Sequence, residues 1–155
     1  ACTFSRDPDN APQVLFIHGE CGLGKTHLLQ SVIEDRRSNA PSEILRYVTG
    51  EEFTNEYIAA VRSGKLEPFR RSMRRLDVLA IDDIHFLSNK TATQNEFLYT
   101  LDAIGLGGAN ILLASDEHPR DIGRFSASLT SRLLGGMVVR IDRPERAMRG
   151  ELKIR

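Results

Sequence analysis

Residues Gly19-Glu20-Cys21-Gly22-Leu23-Gly24-Lys25-Thr26 constrain this chain more than any other feature. They fit the pattern G-x-x-x-x-G-K-[ST], and their surroundings fit as well. The apolar run Val14-Leu15-Phe16-Ile17 precedes them, and Leu28, Leu29, Val32 and Ile33 follow at helical spacing. Strand, glycine-rich turn and helix in that order predict a loop whose backbone N–H groups turn inward around phosphate oxygens. The helix N-terminus adds its positive end. Lys25 supplies positive charge at the β- and γ-phosphates, and the Thr26 hydroxyl can ligate Mg2+. The expected cradle for ATP or ADP is Gly19, Cys21, Gly22, Leu23, Gly24, Lys25, Thr26 and His27. Cys21 stands at a variable position and reads as a small filler, with no His or carboxylate placed to activate a thiol. His18 and His27 have no partners at metal-ligand spacing and read as structural.

The runs Ile44–Thr49, Val78–Ile81, Ile111–Ala114 and Met137–Ile141 read as four further strands. Helical spacing marks Glu51–Arg62, Leu66–Arg75, Thr93–Ile104 and Ser126–Leu134, the third ended by Gly105, Gly107 and Gly108. Ala1–Gln13 reads as a lead-in loop and Arg36–Ser42 as a connection. Apolar strands alternating with helices predict an α/β fold. Its expected form is a three-layer P-loop NTPase core, a five-stranded mostly parallel sheet with helices on both faces. A chain of 155 residues is one domain's length and buries about 70% of its unfolded surface.

Val78-Leu79-Ala80-Ile81-Asp82-Asp83 supplies the second half of the expected site. An apolar strand ending in a carboxylate completes the Mg2+ site of P-loop ATPases. Asp82 is expected to hold the metal and Asp83 to orient or deprotonate the attacking water. Asp83 is one methylene shorter than the Glu common in fast ATPases, which predicts slow turnover suited to a switch.

Lys+Arg and Asp+Glu both number 21, which excludes a chain that is basic or acidic throughout but leaves room for a local patch. Two cysteines are too few for a disulfide framework, and no apolar run has the length of a membrane span. The chain starts at Ala1 without a charged-then-apolar leader, so a cytoplasmic location is expected. The missing initiator Met points to an excised piece. Between Arg62 and Arg75, six cations (Arg62, Lys65, Arg70, Arg71, Arg74, Arg75) face one carboxylate, Glu67. On a helix, Arg70, Arg71, Arg74 and Arg75 share a face opposite Leu66, Phe69 and Met73, either as a solvated face or as a phosphate-backbone or subunit contact. A second basic run from Arg140 to Arg155 is broken by Asp142, Glu145 and Glu151 and reads as an exposed helix or tail.

Gly22-Leu23-Gly24-Lys25-Thr26-His27-Leu28-Leu29, Glu51-Glu52-Phe53-Thr54-Asn55, Leu76–Leu87, Thr93–Phe97 and Ser115-Asp116 together resemble the AAA+ ATPase core of the DnaA family, the bacterial chromosomal replication initiators. The likeness runs from about Val14 to Arg143. It implies that residues 51–75 form the family's helical insertion. It implies that Asp116 is the polar sensor near the γ-phosphate, and that Arg132 is a finger reaching the ATP of a neighbouring subunit. Lys25, Asp83, Asp116 and Arg132 are then the catalytic set, and Thr26 and Asp82 the metal ligands. For DNA the resemblance matches Ile58, Lys90 and Thr93 to contact positions, with Arg70, Arg71 and Arg74 added from the basic face. Ala92, Glu117 and Ser128 replace basic residues of the family, and Leu133 and Gly135 replace an aromatic pair.

The resemblance therefore implies an ATP-controlled module that assembles into a homo-oligomeric filament. In the full-length protein it implies single-stranded and origin DNA as partners, and a replicative helicase as a further one. The family's helical lid and DNA-binding domain are expected to lie outside these residues. The alternatives are a helicase-loader or transposition-helper ATPase and a DnaA-related regulatory nucleotide-binding module, with a small-molecule kinase a distant fourth.

Overall fold

A computed structural model describes residues 12–144 of the chain. Cys2, most of the lead-in loop, and Arg146, Arg149, Lys153 and Arg155 of the second basic run lie outside the described residues.

Five strands build one sheet: β1 (Val14–His18), β2 (Leu45–Thr49), β3 (Val78–Asp82), β4 (Asn110–Ser115) and β5 (Met137–Arg140). Their order is β2-β3-β4-β1-β5, and every neighbouring pair is parallel. Parallel neighbours require long crossovers, and helices supply them. Among the described residues these are α1 (Lys25–Asn39), α2 (Gly50–Arg62), α3 (Leu66–Arg74), α4 (Thr91–Leu106) and α5 (Ala127–Leu134), with a 3₁₀ turn at Ile84–Leu87.

Alternation along each strand divides the interior into two cores. Leu15, Ile17, Val78, Ala80, Leu112 and Ala114 point to one face and pack against Leu29, Val32 and Ile33 of α1. Phe16, Leu79, Ile81, Ile111 and Leu113 point to the other, against Phe53, Phe69, Phe97, Leu101 and Leu129 of the remaining helices. Burial on both faces explains why the central strands are continuous apolar runs.

The predicted elements and the fold class match the structure, with shifts at the ends. Helix α1 continues to Asn39, past the expected connection at Arg36, because Arg36 is buried there. Its guanidinium forks onto Glu43. Helix α4 runs through Gly105 and stops at Leu106. Helix α2 begins in a capping box that the sequence reading missed. Thr49 Oγ1 accepts the Glu52 N–H at 3.1 Å, and Glu52 accepts the Thr49 N–H at 2.7 Å. Gly50 follows, and a Cβ there would lie 2.7 Å from the Asp83 carbonyl oxygen, so only glycine lets α2 approach the acidic turn.

The basic face of α3 is only partly a free surface, contrary to expectation. Arg70 forks onto Glu96 of α4 at 3.0 and 2.9 Å and lies 4.6 Å above the Tyr99 ring. Arg74 donates to the Tyr99 hydroxyl at 3.0 Å and reaches Glu67 at 3.4 Å. Phe53, Phe69 and Phe97 pack edge to face and tilted beneath this clamp. Glu96 is 3% exposed, so its carboxylate needs that arginine. Arg71 makes no such contact and is exposed.

Replacing Arg70 by Ala strands Glu96 and should destabilise the fold by about 2–3 kcal/mol. That is below the roughly 3–5 kcal/mol of a fully buried pair, because Arg70 keeps some solvent contact. Arg71→Ala should change stability by less than about 0.5 kcal/mol. Urea denaturation of the two variants side by side checks the contrast, and equal losses would refute the clamp.

Candidate functional site

The carboxyl ends of parallel strands form a crevice where open α/β sheets bind ligands. Here β1, β3 and β4 end together at that edge, and the chain places a different functional group after each. The turn after β1 leads into α1, and Gly24 takes a left-handed conformation (φ 89°) at its N-terminus. A side chain would strain that backbone, which explains the glycine.

Lys25, the first residue of α1, is 6% exposed. Its ammonium donates to the carbonyls of Gly19 at 2.6 Å and Glu20 at 2.9 Å, and lies 3.0 Å from Asp116 Oδ1. Three oxygens thus hold the charge at the crevice. Asp116 follows β4 and is 41% exposed. Thr26 donates to Asp82 Oδ2 at 2.5 Å. Asp82 closes β3 and is 2% exposed. Its Oδ2 also accepts the Tyr47 hydroxyl at 3.0 Å, and its Oδ1 accepts the Asp83 N–H at 2.9 Å. Asp83 adopts a left-handed backbone (φ 52°), turning the chain sharply into the 3₁₀ turn.

The electrostatics follow from this crowding. Burial, then the neighbouring Asp82 carboxylate, raises the Asp83 pKa above the ordinary value, with His85 and Lys25 opposing. Burial and Asp82 also push the Tyr47 phenol well above its usual value, so it stays a donor. His18 packs edge-on to His118 at 5.0 Å; burial, then His118 and Arg140, lower its pKa.

Two clefts flank the loop. One, of about 370 Å3, is lined by Cys21, Gly22, Gly24, Lys25, Thr26, His27, Asp83 and Asp116. The other, of about 470 Å3, lies on the far side of Asp116, with Gly19, Leu23, His18, Glu117, His118 and Arg140 in its walls. The smaller cleft carries the chemistry: an ammonium, a hydroxyl beside a buried carboxylate, and two further carboxylates. Backbone donors and Lys25 suit phosphate oxygens. The Thr26 and Asp82 oxygens suit Mg2+, a hard cation that takes one or two protein ligands and completes its shell with phosphates and water. The donor set therefore fits the metal.

The expected outer residues fare differently. Ile58 on α2 is 37% exposed and Lys90, at the start of α4, is exposed beside the Phe86 ring at 6.0 Å. Thr93 is 4% exposed, so its side chain offers no surface to a DNA strand, contrary to expectation. Arg70 is committed to Glu96, and Arg74 to Tyr99 and Glu67. Arg132 does not join the Lys25 cleft. Its Nε donates to Asp102 at 2.9 Å beside Gly105 and Gln13, which lies at the amino end of β1. Sequence reasoning missed Tyr47, because an aromatic in a half-buried strand carries no chemical signature.

The chain matches a known protein family and several solved structures. The family described as the bacterial DnaA ATPase domain matches residues 1–140. The chromosomal replication initiator protein DnaA of Limosilactobacillus fermentum is 39% identical over 140 residues, 90% of this chain and 32% of that protein. The chain thus spans about a third of the length of this relative. Domain III of DnaA from Thermotoga maritima superposes with a TM-score of 0.90 at 35% identity, covering 96% of this chain and 62% of that one. AMPPCP-bound DnaA from Aquifex aeolicus superposes with a TM-score of 0.86 at 29% identity, over 99% and 48%. The DnaC helicase loader, at 14% identity and a TM-score of 0.76, shares the fold alone. Among the described residues no helix is long and apolar enough to cross a membrane.

The raised pKa of Asp83 has a sign that can be tested. A carboxyl whose folded pKa exceeds its unfolded value favours the fold at pH below the unfolded value, and loses that contribution as pH rises through the folded one. Asp83→Asn, which tolerates the same backbone, should therefore stabilise the chain at pH 7 and give no gain near pH 3. Thermal melts at both pH values check this; a lower melting temperature at pH 7 would contradict it.

Proposed function

The chain belongs to the bacterial DnaA ATPase-domain family, and from that membership we propose that it is the ATP-binding AAA+ module of a replication initiator. The observation that carries the reading is the meeting of Lys25, Thr26, Asp82, Asp83 and Asp116 at the carboxyl edge of three neighbouring strands. In this reading the loop from Gly19 to Thr26 holds the phosphates of ATP or ADP. Lys25 leaves Asp116 to face the β- and γ-phosphates, and Asp116 then senses the γ-phosphate. Thr26 and Asp82 hold Mg2+, which neutralises phosphate charge when bound. Asp83 orients the attacking water and accepts its proton. Turnover is slow, and the nucleotide acts as a switch.

Arg132 acts on a neighbouring subunit's nucleotide, which accords with its position away from its own cleft. ATP thereby controls assembly of copies into a filament. A DnaA relative, 32% identical to this chain, binds AMPPCP and single-stranded DNA. By analogy Ile58, Lys90 and Arg71, which are exposed, are the residues available for a DNA strand. Residues 51–75 form the initiator-type insertion, and a helical lid and a DNA-binding domain belong to the full-length protein. Origin DNA and a replicative helicase are its further partners, and its location is cytoplasmic.

Calorimetry with ATP and Mg2+ tests the reading. Lys25→Ala removes a buried charge from the phosphates, a loss of roughly 2–5 kcal/mol for such pairs, or about 30-fold or more in affinity. Unchanged affinity in a variant that remains folded would overturn the proposal.

A further inference from the structure

We propose that Tyr47 is a positioning residue for the divalent-cation site. Its hydroxyl fixes the orientation in which Asp82 presents its carboxylate beside Thr26. The proposal rests on the reading of the cleft as a metal–nucleotide site, and extends it to a residue outside the loop and the acidic strand.

Tyr47 sits on β2, the edge strand beside β3, and pairs in register with Ala80. Its ring is half-buried against the core that α1 covers, together with Leu45 and Ile141. The ring is thus held by packing, and the hydroxyl reaches along the sheet to Asp82 Oδ2 at 3.0 Å. Asp82 receives three donors from three elements: Thr26 of α1, Tyr47 of β2 and the Asp83 backbone. Two of these are bound up with the chemistry. Thr26 is itself a candidate metal ligand, so its hydroxyl turns to suit a cation. The Asp83 amide moves with the acidic turn. Tyr47 has neither task, and among the three it is the one whose geometry is independent of what occupies the cleft.

A carboxylate joined to the backbone by one methylene rotates readily about two bonds. Hydrogen bonds from an outer residue restrict that rotation and hold the ligating oxygens where the metal needs them. Removing such partners usually weakens metal affinity about 10–100-fold. Tyr47→Phe deletes only the hydroxyl and leaves the ring packing in place. A purely structural tyrosine would weaken nucleotide binding to the same extent with and without metal, or leave it unchanged. A positioning tyrosine weakens it only where the metal is required.

The experiment measures ATP affinity of the wild-type chain and of Tyr47→Phe by calorimetry, in excess EDTA and across a Mg2+ series. The expected result is a Mg2+ midpoint raised about tenfold in Tyr47→Phe, with equal affinities in EDTA and a variant that stays folded, its melting temperature lowered by the lost donor to Asp82. A wild-type Mg2+ midpoint in the variant overturns the proposal. So does a loss of the same size in EDTA and in Mg2+, which assigns Tyr47 to the fold alone. Absence of ATP binding by the wild-type chain in both conditions would instead remove the nucleotide reading, and this inference with it.

Discussion

Asp82 has almost no contact with water, and a carboxylate in that position is tolerated only where donors converge on it. The sheet is arranged to deliver them. β3 carries the residue to the carboxyl edge, α1 brings Thr26, the neighbouring strand brings Tyr47, and the chain's own turn supplies a backbone N–H. Each donor arrives only because the strands are parallel and end together. The same edge brings Lys25 to Asp116 from the next two strands across. One buried carboxylate and one buried ammonium thus tie the strand order to the cleft.

The insertion after β2 is attached to this edge as well. Thr49 caps α2 two residues after Tyr47, and Gly50 rests on the carbonyl of Asp83. The acidic turn, the β2 edge and the start of α2 form a single packed corner. Beyond it, α2, α3 and α4 are held to one another by Phe53, Phe69 and Phe97, with the Arg70–Glu96 fork above them. Two of the six cations that mark this segment, Arg70 and Arg74, are therefore structural glue. Arg71 remains on the surface.

The fold was largely legible in the sequence because its signals are strong and local. Continuous apolar runs mark strands covered on both faces, and the loop from Gly19 to Thr26 has a fixed spacing that few other arrangements satisfy. Asp82 and Asp83 were legible for the same reason, as carboxylates closing an apolar run. What escaped depends on contacts between distant segments. Nothing near Arg70 announces that Glu96, 26 residues on, will claim it. Thr93 is a different case: it lies four residues before Phe97, so helical spacing alone puts it on the buried face. Tyr47 is an ordinary strand residue until β3 is laid beside it.

The nucleotide position proposed above is the cleft between the Lys25 loop and the carboxyl ends of β3 and β4, and amide NMR during titration with Mg2+ and AMPPCP reads that position residue by residue. The amides of Gly19 to Thr26, Asp82, Asp83 and Asp116 should shift together and saturate with one affinity. Shifts confined to other surfaces, with the loop amides unmoved, would contradict it.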